Sequence, residues 1–363
     1  MKTNREYYRT AQRRNAGALY LALICLCVFS QLAWPARRAA AECENCWEDG
    51  YTEMSWNESV TLLEDAFSST GLQDFRKAEP EKKQELLHAI ESAFAARFKY
   101  NKEELDTPAL VRLEKKAHEE NLENPETLRL LRDEIEKMYG RPPNRFMSGI
   151  WRITSAKISV VLGDYETALS ATAEYRNILD ELIPALYTNP RECHRGPLCA
   201  ARDQCVKTEA ALAMALGRYG EAAAVFDHLP LSQLDMKKSE KLSMQIAWAM
   251  ALENSGDATH AREMLGTTRT EIIESVEAGE RLRFSDDLPA LIDSMADGAD
   301  TGAFLDDRFK NVTGAASYES VDFPGFFTLA SGLLCRETTG GERCETLIKV
   351  ALTQLFSAFH GIR

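Results

Sequence analysis

Cysteine and histidine are the residues with which this chain could do chemistry. Cys43-Glu-Asn-Cys46-Trp47 places two thiols at the spacing of a dithiol redox pair. Such a pair normally opens a helix after a strand, where the helix terminus lowers the thiol pKa. Residues 42–56 carry no helical period, so Cys43 and Cys46 read instead as a structural tether of an N-terminal arm. Covalent haem attachment needs histidine after the second cysteine, and Trp47 stands there. Cys193-His-Arg-Gly-Pro-Leu-Cys199, followed by Cys205, offers three thiolates and His194 to a zinc ion. Those gaps are wider than the tight knuckles of structural zinc. A disulfide within this loop, from Cys193 to Cys199 or to Cys205, is the better reading. Cys335 and Cys344 flank a turn and would staple a helical hairpin. The expectation is disulfides, with no metal and no cofactor.

The familiar enzyme constellations do not occur. His88, His118, His194, His228, His260 and His360 include no His-Glu-x-x-His pair. There is no Gly-x-Ser-x-Gly elbow, phosphate loop or dinucleotide glycine cluster. The carboxylates from Asp286 to Asp307 lack the alternating spacing of an EF-hand and read as a solvated acidic loop. A rival reading is a helical enzyme or accessory protein whose site is assembled from Trp47, Trp56, Trp151 and the cysteine loop, or a redox or metal carrier using Cys43 and Cys46.

The elements that would hold these residues are helices. After Pro80, the residues Leu86, Leu87, Ile90, Phe94 and Phe98 share one face of a helix. Thr107-Pro108 and Asn124-Pro125 each pair an N-cap residue with a proline at the first helical position. Gly140-Arg-Pro142-Pro143 stops the second of these helices and marks a module boundary. Near the C-terminus, helices over about 326–336 and 344–359 are joined by Thr338-Thr-Gly-Gly341. Residues 283–322 between them and the middle section read as a short helix with long loops, or as a mobile connector. No segment alternates as a strand would, so the fold class is all-α.

The middle section repeats. Leu162-Gly-Asp-Tyr-Glu-Thr-Ala168, Leu216-Gly-Arg-Tyr-Gly-Glu-Ala222 and Asn254-Ser-Gly-Asp-Ala-Thr-His-Ala261 each place a turn glycine five residues before an alanine. Twelve residues upstream of those alanines stand Ala156, Ala210 and Ala249; four downstream stand Thr172, Phe226 and Leu265. Small residues where helices cross and bulky ones beside them are what stacked antiparallel hairpins need. Gly217, Tyr219, Ala222, Phe226 and Pro230 fit the tetratricopeptide repeat best; Gly163, Tyr165 and Ala168 keep part of it, as do Gly256 and Ala261. Over residues 146–270 the chain therefore resembles a degenerate tetratricopeptide-repeat protein. Its alanine-to-alanine steps of 54 and 39 residues exceed the family's roughly 34, and an insertion over 188–206 accounts for the first excess. The resemblance implies an α-solenoid whose first helices line a groove for a partner's peptide or helix. It places Lys157, Lys207, Met214, Glu253 and Asn254 in that groove, with Lys157 and Lys207 anchoring an acidic group.

Charge and the first forty residues set the compartment. Lys2, Arg5, Arg9, Arg13 and Arg14 precede an uncharged run from Ala16 to Trp34, and Ala39-Ala40-Ala41 follows as a cleavage site. Residues 1–41 are thus expected to be a signal peptide or, uncleaved, an N-terminal anchor that would be the chain's only membrane attachment, through residues 16–34. They hold seven Lys/Arg and one Glu, so the remainder carries 36 basic and 55 acidic residues, a net of −19. Such a surface repels phosphate backbones, and nucleic acid is not an expected partner. An oxidising compartment also suits the cysteines. The expected organisation is an N-terminal helical module over 42–145, repeats over 146–282, and an acidic connector with a C-terminal hairpin over 283–363. The expected function is that of an exported, periplasmic adaptor or scaffold for a protein partner in envelope assembly.

Overall fold

The computed structural model describes residues 77–361 apart from 82, 84–86, 88–107, 121, 140–144, 188–195, 230–235, 281 and 298–300. Among the described residues there are twelve α-helices and no strand. Four antiparallel hairpins follow one another: α1 (Pro108–Glu119) with α2 (Pro125–Tyr139), α3 (Arg145–Leu162) with α4 (Tyr165–Leu186), α5 (Pro197–Ala215) with α6 (Tyr219–Asp227), and α7 (Lys238–Asn254) with α8 (Ala258–Glu277). The second helix of each packs on the first helix of the next, so α2 touches α3, α4 touches α5 and α6 touches α7. The acidic segment that follows is folded: it forms α9 (Asp287–Asp297), α10 (Thr301–Arg308) and a 3-10 turn over Ala315–Glu319. The chain closes with α11 (Gly325–Thr338) and α12 (Glu342–Ser357).

Local signals in the sequence account for the helix ends. α1 and α2 begin at Pro108 and Pro125, where the missing N–H costs nothing. Asn124 Oδ1 accepts from the backbone N–H of Glu126 at 3.1 Å and of Thr127 at 3.4 Å, capping α2. Asp164 and Asp257 cap α4 and α8 in the same way through Thr167 N and His260 N.

Close approach at the helix crossings depends on missing side chains. A Cβ on Gly332 of α11 would lie 3.0–3.1 Å from Ile348 and Leu347 of α12, including the Ile348 backbone nitrogen. A Cβ on Gly149 of α3 would meet the Tyr175 ring of α4 at 2.6 Å. Buried hydroxyls inside these helices turn back to their own carbonyls: Ser243, Ser331 and Thr353 each bond the carbonyl four residues earlier.

The main apolar core runs from the repeat helices into α11 and α12. Five rings, Phe284, Phe304, Phe309, Phe323 and Phe327, stack or tilt against one another with centroids 4.7–6.3 Å apart. They fasten the acidic segment to α11, which explains why so charged a stretch is ordered. A smaller core joins Leu128, Leu131 and Ile135 of α2 to Ile158 and Val161 of α3 and to Ala315 of the 3-10 turn.

Candidate functional site

The three repeated turns share one backbone geometry. Gly163, Gly217 and Gly256 have φ of +82°, +73° and +97°, the left-handed region that terminates a helix. In each, the glycine N–H bonds the carbonyl three residues back and the next N–H bonds the carbonyl five back. These are Gly163 to Val160 with Asp164 to Ser159, Gly217 to Met214 with Arg218 to Ala213, and Gly256 to Glu253 with Asp257 to Leu252. The six framework alanines, Ala156, Ala168, Ala210, Ala222, Ala249 and Ala261, are all buried to 1% exposure or less. Thr172 and Phe226 are fully buried beside them, and Leu265 packs at the core's edge. Tyr165 of the first turn is buried, and desolvation pushes its phenol up, with Glu345 adding to the shift. Tyr219 of the second turn donates to Glu337 at 3.1 Å. The third turn has Ala258 at that place.

The chain's own C-terminal hairpin packs against α3, α5 and α7. α12 packs on α3 and α5, and α11 packs on α7 and α5. Gln204 of α5 is buried and donates through Nε2 to the Leu355 carbonyl of α12 at 2.8 Å. Arg336 of α11 donates to the Ala215 carbonyl at 2.7 Å and the Met214 carbonyl at 3.4 Å. A cation there opposes the negative end of the α5 dipole. At the other end of α12, Gln354 Nε2 lies within 3.4 Å of three carbonyls, of Tyr318, Val321 and Phe323, and so gathers the loop before α11 against the hairpin.

The expected groove residues accordingly meet different fates. Met214 is fully buried in the main core. Lys157 lies over the Tyr318 ring, 4.7 Å from its centroid, and its Nζ is 3.5 Å from the Tyr318 hydroxyl; its chemistry is spent within the chain. Lys207 is half-buried, and desolvation pulls its ammonium down while Glu240 and Asp203 hold it up. Glu253 and Asn254 are exposed at the end of α7, with Asn254 Nδ2 donating to the Met250 carbonyl at 3.1 Å. The structure does not gather these five residues into one open surface. Sequence reasoning missed Gln204, Arg336, Gln354 and Tyr318. Gln204 was within reach, since it precedes Lys207 by three residues and shares its helix face.

The cysteines separate by role. Cys335 and Cys344 form the disulfide that staples α11 to α12. Cys199 is also disulfide-bonded. Cys205, a candidate for that loop's bridge, is a free thiol, fully buried on α5. Burial, and after it the nearby Glu209 carboxylate, push its pKa up. It sits at the α4–α5 seam, where Arg176 Nε meets the buried Glu209 carboxylate at 2.8 Å and Arg202 Nε meets Asp180 at 2.8 Å. Among the described residues no cluster of three His, Cys, Asp or Glu side chains is placed to hold a metal ion, and no helix is long and apolar enough to cross a membrane. Cys43, Cys46 and Cys193 lie outside the described residues, as do residues 1–41, where the export segment was expected.

The chain matches no protein-family model, no curated protein and no solved structure.

Proposed function

We propose that this protein is an exported scaffold of tetratricopeptide-like build that holds a protein partner in the cell envelope. The observation that carries the reading is the docking of a two-helix hairpin across α3, α5 and α7. Those three helices together hold a pair of helices, which is what a repeat scaffold does to its partner and supports the reading. Matching turns and buried alanines support common descent of the three hairpins. Because the clamp is filled in cis, the partner engages surfaces that the hairpin leaves open, and Glu253 and Asn254 at the exposed end of α7 belong to them. The basic start, the uncharged run over 16–34 and the acidic remainder support an envelope compartment and a protein partner over nucleic acid.

The test is recovery of partners from intact cells. Affinity-tagged full-length protein is cross-linked in the envelope and its co-purifying proteins are quantified. A stoichiometric protein partner whose yield falls for Glu253→Arg/Asn254→Arg is the expected result. Failure to recover any stoichiometric partner, or retention of partner by that variant, overturns the reading or its surface respectively.

A further inference from the structure

The C-terminal hairpin is cross-linked at its tip, where it also meets the second repeat turn. Cys335 and Cys344 join α11 to α12 across the exposed turn Thr338–Glu342, whose Gly340 and Gly341 take φ of +66° and +103° with open space around them. Arg336, Glu337 and Arg343 at the same tip make polar contacts with other elements. Arg336, next in chain to Cys335, holds the Met214 and Ala215 carbonyls at the end of α5. Glu337 accepts from Tyr219 at the start of α6. Arg343, beside Cys344, donates to the Leu305 carbonyl of α10 at 2.9 Å and pairs with Asp306. The Gly217 N–H and Arg336 share an acceptor, the Met214 carbonyl. Among the described residues the third turn, at Gly256, receives no hydrogen bond from the hairpin.

We propose that Cys335–Cys344 is a redox-sensitive latch, coupling the oxidation state of the hairpin tip to the closure of the second repeat turn. The reductant is a dithiol. One of its thiolates bonds to a bridge sulfur, the Cys335–Cys344 bond breaks, and its electron pair leaves on the other cysteine, which takes up a proton. The second donor thiol then displaces the mixed disulfide. Two electrons and two protons pass to Cys335 and Cys344, and the donor leaves as its own disulfide. Both bridge cysteines are buried, so attack follows fraying of the glycine turn. Once the tip is unlinked, Arg336 and Glu337 are no longer held against α5 and α6. The latch would regulate the scaffold proposed above, but its test needs no partner and its failure leaves that reading standing.

The experiment is hydrogen exchange on the full-length protein, oxidised, then reduced with dithiothreitol, and in the Cys335→Ser/Cys344→Ser variant, which leaves the bridge at Cys199 untouched. The expected result is faster exchange at residues 333–345 together with a rise of about tenfold or more at the Leu216, Gly217 and Arg218 amides, the scale of losing one charged hydrogen bond. The Ser255, Gly256 and Asp257 amides should stay unchanged. Arg336→Gln should give the same rise at Leu216–Arg218 with the bridge intact, and reduction should then add nothing there. Exchange confined to 333–345, equal acceleration in both turns, or an unchanged second turn in Arg336→Gln each overturns the latch.

Discussion

Helices α8 and α11 are both single members of hairpins, yet they obey opposite rules. α8 buries four of its twenty residues, Ala261, Thr268, Ile272 and Ser275, on a stripe one residue wide. α11 buries ten in succession, Phe326 to Cys335. A helix apolar on every side belongs inside a domain, whereas a thin stripe belongs to a helix with one neighbour face. The difference teaches where this repeat stack gets its stability. Its outer helices lean on the inner ones, and the inner ones lean on a hairpin from the far end of the chain. The hairpin is therefore a core element of the helical stack.

The strongest way to break that comparison is to remove a large side chain from each helix. Phe327 is fully buried among Phe304, Phe309 and Phe323. Phe327→Ala should cost about 3–5 kcal/mol in urea unfolding, the range for deleting a buried aromatic. Val276 on α8 is 50% exposed, and Val276→Ala should stay within about 0.5 kcal/mol. Similar losses for the two variants would mean that α11 is no more central than the edge of the stack.

A subtler test uses one residue type in two settings. Gly217 sits at φ +73° in the second repeat turn, where an alanine suffers the left-handed penalty of about 1–2 kcal/mol. Gly266 lies in the middle of α8, exposed, with nothing within 4 Å of a Cβ placed there. Gly266→Ala should stabilise by about 0.5–1 kcal/mol through helix propensity. Opposite signs in thermal unfolding sharpen the distinction between a turn that specifies the repeat and a helix face that is only surface. Destabilisation by Gly266→Ala would reveal packing on α8 that the comparison denies.

These contrasts also explain what the sequence made legible. The turns were readable because a left-handed glycine and an aspartate cap act over five residues, as at Gly163-Asp164 and Gly256-Asp257. Proline starts at Pro108 and Pro125 were readable for the same reason. The staple of α11 to α12 followed from two cysteines flanking a glycine turn. The docking of the C-terminal hairpin on α3, α5 and α7 was not readable. Gln204 meets Leu355 across 151 residues and Arg336 meets Ala215 across 121, and neither pairing leaves a periodic trace. Met214 is apolar on an assigned groove face, and an apolar residue looks the same to a partner's helix and to the chain's own. The order of the acidic segment was hidden too, because Phe284, Phe304, Phe309 and Phe323 are scattered among its aspartates and meet only in three dimensions.

The smallest effect lies at the start of α8, and pH reads it. His260 Nδ1 is 2.5 Å from Asp257 Oδ2, and both side chains are largely in water. The hydrogen bond to Asp257 comes first in raising the His260 pKa above its ordinary 6.5, with the carboxylate charge, Glu263 and Asp227 adding to it. The same bond to His260 holds Asp257 below its ordinary 3.8. A raised histidine stabilises the fold fully below its unfolded value and loses that contribution as pH climbs through the folded value. A lowered aspartate stabilises above its unfolded value and loses the contribution as pH falls through the folded one. The pair therefore helps most between about pH 4 and 6.5 and fades on the alkaline side as His260 deprotonates. Thermal unfolding followed from pH 5.5 to 9 should show a shallow decline that His260→Ala flattens, while the Asp257 cap on the His260 N–H keeps α8 in place. The decline should also shrink at high salt, since both groups face solvent. A slope unchanged in His260→Ala would place the pH sensitivity elsewhere in the stack, and α8 would then be as indifferent to its charges as its thin buried stripe is to its exposed side chains.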